Sequence, residues 1–427
     1  MVVGDTIFAL SSGSPPAAIG VVRISGPDAH RAGESLAGNL PPARQAAVRE
    51  LRANDGSLLD EALVLRFDAS GSATGEDLVE LHCHGGRAVV AAVLGALGRL
   101  DRLREARPGE FTRRAFENGR IDLTQAEGLG DLLEAETESQ RRAALMMAEG
   151  GLRTQIEHWR ARLLELSALA EAAVDYAEED GVESDERLSS DCVALAKELG
   201  RWLDRPRSEP LRDGVRIVIA GPPNAGKSSL LNALVGYDRA IVTDIPGTTR
   251  DHVDVPISLG GVPIRLTDTA GLRDSDEIAE QLGVGRARTL IESADVLVWL
   301  GEPADSPSRP HLLRVHPRCD VEGRETAPEG LIAVSSTTGV GLPELTDAIV
   351  GKAREILPST GEIALNRRQA ECLTQARDAL IAGSEGGELA ILAESLRLAR
   401  SAFDRLTGRA GVEDLLDTLF GRFCLGK

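Results

Sequence analysis

Gly221-Pro222-Pro223-Asn224-Ala225-Gly226-Lys227-Ser228 is the stretch whose reading decides the fold. A glycine, four residues, then Gly-Lys-Ser is the spacing of a phosphate cradle. Backbone N–H groups converge there on phosphate oxygens, and a side chain at the closest approach would block them. Gly221 and Gly226 remove that obstacle, Lys227 offers a mobile ammonium to the outer phosphates, and Ser228 offers a hydroxyl to magnesium. The context agrees. Val215 to Ala220 is rich in β-branched residues and reads as a strand, while Ser229 to Leu234 reads as a helix whose N-terminal dipole favours an anion. The alternative is a glycine turn that meets the pattern by chance, and the strand-loop-helix context argues against it.

Two further stretches follow in the order that a nucleotide switch requires. Pro246-Gly247-Thr248-Thr249-Arg250-Asp251 carries threonines that can reach magnesium or a γ-phosphate. Asp268-Thr269-Ala270-Gly271 follows the apolar run Ile264 to Leu266; its carboxylate can hold magnesium through water, and Gly271 leaves its N–H free for the γ-phosphate. Such segments order around a third phosphate and relax after hydrolysis, so the pattern is that of a GTPase. Leu272 stands where Ras-type enzymes place a water-orienting glutamine, so another residue has to position the water.

Guanine is usually read by Asn-Lys-x-Asp, and the nearest match is Pro317-Arg318-Cys319-Asp320. Asp320 can accept from the base, and Arg318 can lie over the ring in place of lysine. Pro317 replaces the asparagine and has no side-chain amide. Ser335-Ser336-Thr337 stands where a Ser-Ala-Lys loop would back up the base. The expectation is weakened but retained guanine selection. An ordinary loop role for Asp320, and an ATP-using P-loop enzyme, are the alternatives.

The 427 residues exceed one core's usual size, so two or three domains are expected. Aromatic residues make up only 3%, so the cores have to be built from Leu, Val, Ile and Ala, which leans towards helices. A net charge of −19 argues against coating nucleic acid by overall attraction; an RNA partner would have to meet a local basic patch. Arg102, Arg104 and Arg107, or Arg113, Arg114 and Arg120, are such clusters. Cys83, Cys192, Cys319, Cys372 and Cys424 are odd in number and never in C-x-x-C spacing, which fits reduced thiols in a cytoplasm. Met1 to Leu10 has no basic segment and no stretch approaches 18 apolar residues, so neither secretion nor a membrane span is expected.

Residues 1–120 alternate strand and helix signals, with strands at Ile19–Ile24, Ala62–Phe67 and Leu78–His84, and read as an α+β domain. His82 and His84 share a strand face, but Cys83 points to the other, so hydrogen bonding is preferred to a metal site. Thr124-Gln125-Ala126-Glu127 is a candidate capping box, and residues 121–210 carry helical spacing. Residues 214–357 alternate strands with helices and predict a parallel α/β sheet; helical character returns over 362–427. An all-α domain is thus interrupted by an inserted α/β P-loop domain, with proline at both joints.

The assembled stretches resemble the MnmE (TrmE) family of tRNA-modifying GTPases over nearly the whole chain. The resemblance is carried by Asp5-Thr6-Ile7, Gly20 to Gly26, Thr74-Gly75-Glu76-Asp77, Glu80 to Gly86, Pro108-Gly109-Glu110-Phe111-Thr112, Asn118 to Glu127 and Cys424-Leu425-Gly426-Lys427. It implies a folate-binding-like N-terminal domain that forms a homodimer and holds 5-formyltetrahydrofolate or a related folate through Arg23, Glu80, Arg120 and Lys427. Position 120 is usually lysine in the family. The resemblance also implies potassium held by Asn224, Thr243, Ile245 and Thr248, magnesium held by Ser228 and Thr249, and GTP bound by residues 224–229 with Thr243, Thr248, Thr249, Asp268 to Gly271, Asp320 and Ser335 to Thr337. Ala225, Gly226, Lys227 and Ser229 belong to that set. Glu280 would position the water. Cys424 is a candidate for the modification chemistry or for inert packing; Leu-Gly-Lys after it is a poor prenylation signal. The implied activity is installation of a carboxymethylaminomethyl or aminomethyl group at C5 of the wobble uridine of certain tRNAs, with an FAD-dependent MnmG-like partner in a heterotetramer or larger assembly. A GTPase switch in RNA or ribosome assembly, without modification chemistry, is the rival reading.

Overall fold

The computed structural model describes residues 4–175, 183–237, 254–269, 288–386, 388–410, 413–423 and 426. It divides into two compact units, Met1–Gly130 with Asp404–Lys427, and Asp131–Phe403.

The first unit is built on a six-stranded sheet of β1 (Thr6–Leu10), β2 (Ile19–Ser25), β3 (Ala46–Arg52), β4 (Leu58–Phe67), β5 (Leu78–His84) and β6 (Leu103–Glu105), in the order β3-β4-β5-β2-β1-β6. Period-two alternation sets its faces. Val79, Leu81 and Cys83 of β5 join Val22, Ile24 and Val64 in a core with residues of the helices Ala29–Ala37 and Arg87–Leu97. Glu80 and His82 therefore point to the opposite face, where Val48, Leu63, His82 and Val21 stand in register across four strands. Val48 is 55% exposed and Leu63 38%, so this face carries an apolar strip open to solvent. The helices Leu123–Glu134 and Glu413–Phe420 share a cluster of Leu123, Ala126, Leu416, Phe420 and Phe423.

The capping box lies two residues before the one expected. Asp122 Oδ1 accepts from Gln125 N at 3.0 Å, and Gln125 Oε1 accepts from Asp122 N at 3.2 Å. Asp122 and Gln125 satisfy the same i, i+3 pattern as Thr124 and Glu127, and Thr124 instead donates to Asp122 Oδ1.

The second unit combines helices with the second six-stranded sheet: β7 (Val215–Ala220), β8 (Asp254–Leu259), β9 (Val262–Asp268), β10 (Val296–Trp299), β11 (Leu312–Pro317) and β12 (Ile332–Val334), in the order β12-β11-β10-β7-β9-β8. Every pairing is parallel except β8 with β9, so the expected all-parallel sheet is corrected at one edge. Gly260-Gly261 joins those two strands, and a connection that short permits only an antiparallel partner. The helical part comprises Glu138–Ala148, Gly151–Asp175, Glu183–Leu203, Arg367–Glu385 and most of Leu389–Thr407. Two of the three tryptophans lie here. Trp159 is fully buried, stacks with Phe403 at 6.1 Å, meets Trp202 edge-on at 5.2 Å and donates to Glu198 Oε1 at 2.8 Å.

The chain enters and leaves the second sheet through segments tied to each other. Ser208 N donates to Leu365 O at 3.1 Å, Arg367 N donates to Glu209 Oε1 at 2.6 Å, and Arg205 pairs with Glu362. Among the described residues no helix is long and apolar enough to cross a membrane.

Candidate active site

β7 is interior to its sheet, and the loop after its last residue, Ala220, opens beyond the carboxyl ends of parallel strands, where α/β sheets bind ligands. Three loop residues have left-handed backbone: Gly221 at φ +151°, Asn224 at +61° and Gly226 at +94°. Glycine adopts this freely, whereas Asn224 is held there as one of few residue types that tolerate it. The helix Lys227–Tyr237 starts directly afterwards. Lys227 Nζ reaches back over the loop to the carbonyls of Gly221 and Pro222, at 3.1 and 2.9 Å.

Ser228 Oγ donates to Asp268 Oδ2 at the end of β9, so two residues 40 apart meet as a hydroxyl and a carboxylate. An all-oxygen pair suits magnesium, which takes few protein ligands and keeps waters. Thr269 Oγ1 donates to Ile219 O at 3.1 Å and pins the segment after β9 to β7.

On the base side, Arg318 directly follows β11, also with left-handed backbone, φ +60°. Its Nη2 donates to Asn224 O at 2.7 Å. The arginine therefore ties the base loop to the phosphate loop, a contact the sequence reading did not anticipate. Asp320 is exposed two residues further on. Ser335 is fully buried, and its Oγ accepts from Thr337 N and Thr338 N, which shapes the loop that Ser336 and Thr337 present. Thr243, Ile245, Thr248, Thr249, Ala270, Gly271 and Glu280 lie outside the described residues.

In the first unit, Arg23 and Glu80 are cross-strand partners of β2 and β5, and the guanidinium donates to Glu80 Oε1 from Nε and Nη2 at 3.1 and 2.9 Å. His82 Nε2 lies 3.2 Å from the other carboxylate oxygen. That hydrogen bond first, and the Arg23 charge, hold the Glu80 carboxyl below its ordinary range against the opposing effect of burial. The Arg23 guanidinium also lies 5.6 Å from the Phe111 ring centroid, a cation–π contact. His84 Nδ1 lies 2.8 Å from Asp60 Oδ1, so both histidines have the hydrogen-bonding role read from the sequence. Burial pushes the Cys83 thiol up to about 12.

Arg120 is exposed and is set against the Thr74–Gly75 segment. Asn118 Nδ2 donates to Thr74 O at 2.8 Å, and a Cβ on Gly75 (φ +78°) would lie 2.7 Å from Asn118 Cβ and 3.2 Å from Arg120 Cγ. Beneath lies an ion cluster that sequence reasoning missed. Arg114 bridges Asp5, Glu76 and Glu110, and Arg104 joins Asp5 and Glu110. Its one signal was that the three acidic members, Asp5, Glu76 and Glu110, fall within the quoted family stretches. Burial opposes ionisation of Glu110, but hydrogen bonds from Arg104 and Arg107 N, with the charges of Arg104 and Arg114, outweigh it and hold the carboxyl down at about 2. Arg104 and Arg114 are thereby engaged in ion pairs within the chain, as is Arg113, which pairs with Glu117 and Asp417. Cys424 and Lys427 lie outside the described residues. Gly426 between them accepts at its carbonyl from Ser11 Oγ at 2.8 Å, just past the end of β1.

Comparison with known proteins supplies the family. The profile described as "GTP-binding protein TrmE N-terminus" matches residues 6–120, and the MnmE helical domain profile matches 123–424. The chain belongs to the MnmE (TrmE) family. The tRNA modification GTPase MnmE of Erythrobacter litoralis is 52% identical over 425 residues, covering 99% of this chain and 100% of the relative. That of Novosphingobium aromaticivorans is 51% identical over 436 residues, with 99% and 100% covered. Among solved structures, the G domain of the T. maritima FeoB iron transporter is 26% identical, covers 33% of this chain and 98% of its own, and has a TM-score of 0.24. The architecture of the family is the one present: an N-terminal domain, a helical domain and a P-loop GTPase domain.

Proposed function

We propose that this GTPase of the MnmE family hydrolyses GTP to drive modification of the wobble uridine at C5 in certain tRNAs, installing a carboxymethylaminomethyl or aminomethyl group with an FAD-dependent partner. The observation that carries the GTP half is the meeting of three separate segments at one loop: Lys227 across the loop carbonyls, Ser228 on Asp268, and Arg318 on Asn224. Ser228 and Asp268, with Thr249, would hold magnesium, which neutralises charge developing on the phosphates. Asn224 presents its main-chain oxygen to Arg318, so a potassium role for Asn224 rests on its side chain, alongside Thr243, Ile245 and Thr248. Glu280 is assigned to orienting the attacking water. Arg23, Glu80 and Arg120 with Lys427 are assigned to a folate one-carbon donor, and Cys424 to the modification chemistry. Support for the first three is an ionised carboxylate and two arginines on a preorganised sheet and loop.

The open apolar strip of Val48 and Leu63 supports a homodimer through the first unit. We assign the domains to 1–120, 121–210 with 362–427, and 214–357, and the protein to the cytoplasm. The deciding experiment is mass spectrometry of tRNA nucleosides from cells lacking the protein. Loss of the C5-modified wobble uridine is expected; an unchanged profile would replace this reading with a GTPase switch. Hydrolysis is expected to be much faster in potassium than in sodium salts, and equal rates would remove the Asn224 assignment. Glu280→Ala should cut turnover while sparing nucleotide affinity.

A further inference from the structure

We propose that the turn of the β8–β9 hairpin is the contact through which the nucleotide state reaches the helical part of the second unit, with Ser139 and Gln140 as positioning residues. This rests on reading residues 221–228 as a GTP site. The hairpin has a nucleotide end and a helical end. At the nucleotide end, β9 finishes at Asp268, the partner of Ser228, and β8 begins at Asp254, five residues after Thr249. The ladder runs without a break from Asp254 opposite Thr267 to Leu259 opposite Val262, and Thr267 Oγ1 donates to Asp254. Seven residues of extended strand span about 20 Å, and a hydrogen-bonded ladder is stiff along its length. A displacement at Asp268 is therefore carried to the turn.

At the helical end, the turn meets the start of the helix Glu138–Ala148. Ser139 Oγ donates to Gly261 O at 2.9 Å. That helix start is itself rigid, because Thr137 and Gln140 form a complete capping box. Gln140 has a second role: its Nε2 donates to Arg212 O at 3.0 Å, three residues before β7 begins. Adjacent side chains on one helix end thus hold both the segment that runs through β7 into the phosphate loop and the hairpin that runs out from Asp268. A shift of β9 against β7 shears across those two residues. A cavity of about 50 Å³, lined by Thr137, Gln140, Arg212, Pro256 and Ile264 among others, lies at this junction.

The test is amide hydrogen exchange on the full chain with magnesium, comparing GDP with a non-hydrolysable GTP analogue. Exchange of the amides from Gln140 to Ala144 is expected to differ about tenfold between the two states, which corresponds to about 1.4 kcal/mol of local opening free energy. The Ser139→Ala, Gln140→Glu double variant keeps the capping acceptor and loses both donors. It is expected to bind both nucleotides and hydrolyse GTP at the parental rate while losing that difference. Equal exchange in both states, with both nucleotides bound by titration, overturns the coupling and leaves the GTP reading standing, as does a difference that survives in the double variant. Failure of the double variant to fold would show as loss of nucleotide binding; for that case Ser139→Ala alone, which leaves the capping box untouched, is read by the same criterion. If the parental chain binds neither nucleotide, the proposal falls together with the GTP reading.

Discussion

Arg318 and Asn224 are two non-glycine residues in left-handed backbone, and they hydrogen-bond to each other. Each conformation costs about 1 kcal/mol or more, so the loop contacts that surround the pair have to over-determine it. A hydrogen bond from a charged donor is worth about 1.5–3 kcal/mol. Arg318→Ala should therefore weaken GDP binding by roughly tenfold or more, measured by fluorescence titration, and an unchanged Kd would mean that the bridge carries no affinity. Asp320→Asn should shift preference from guanine towards xanthine nucleotides, and no shift would assign base reading to other residues. Glu110 makes a second residue-scale test. Its carboxyl sits at about 2 in the fold against an ordinary value of 4.5. Because the folded value is the lower one, ionised Glu110 stabilises the fold above about pH 4.5, and that contribution is lost as pH falls towards 2. Glu110→Gln should lower Tm at neutral pH, and the gap from the parent should close across that window in a series of thermal melts. The phosphate loop was legible in the sequence because its geometry is local: two glycines, a lysine and a serine within eight residues. The Arg318 bridge and the Glu110 cluster were not, since each depends on tertiary contacts between residues about one hundred apart.

Elements repeat the same division between local and distant causes. The strands Ile19–Ser25 and Leu78–His84 followed from β-branched runs, and period two placed Cys83 opposite His82 as expected. The cap of the helix Leu123–Glu134 was misplaced because two overlapping i, i+3 pairs satisfy one pattern, and only the geometry of the first turn selects Asp122. Asp122→Ala should cost about 1 kcal/mol, read from chemical denaturation, whereas Thr124→Ala should leave the cap bonds in place. The antiparallel edge strand was legible in principle, as Gly260-Gly261 between two apolar runs is a hairpin signal. Alternation of strands and helices elsewhere in the sheet outweighed it. The helical part turns on one side chain: Trp159 is fully buried among Trp202, Phe403 and Glu198, and Trp159→Ala should cost about 3–5 kcal/mol in unfolding free energy.

For the whole molecule, the interruption of helical character by the sheet was readable from composition, with prolines near both joints. Composition could not show that the two joints grip each other, Ser208 on Leu365 and Glu209 on Arg367. In polymer terms, the 156 residues between Ser208 and Leu365 form a loop closed by contacts between its two ends. The entropic cost of closing such a loop rises only with the logarithm of its length, so a disordered insert would burden the helices by little more than a folded one. Each part can then melt without unthreading the other. Replacing residues 214–357 by a short Gly-Ser bridge should leave the helices with a cooperative circular-dichroism melt, and loss of that transition would show that they depend on the sheet for their stability.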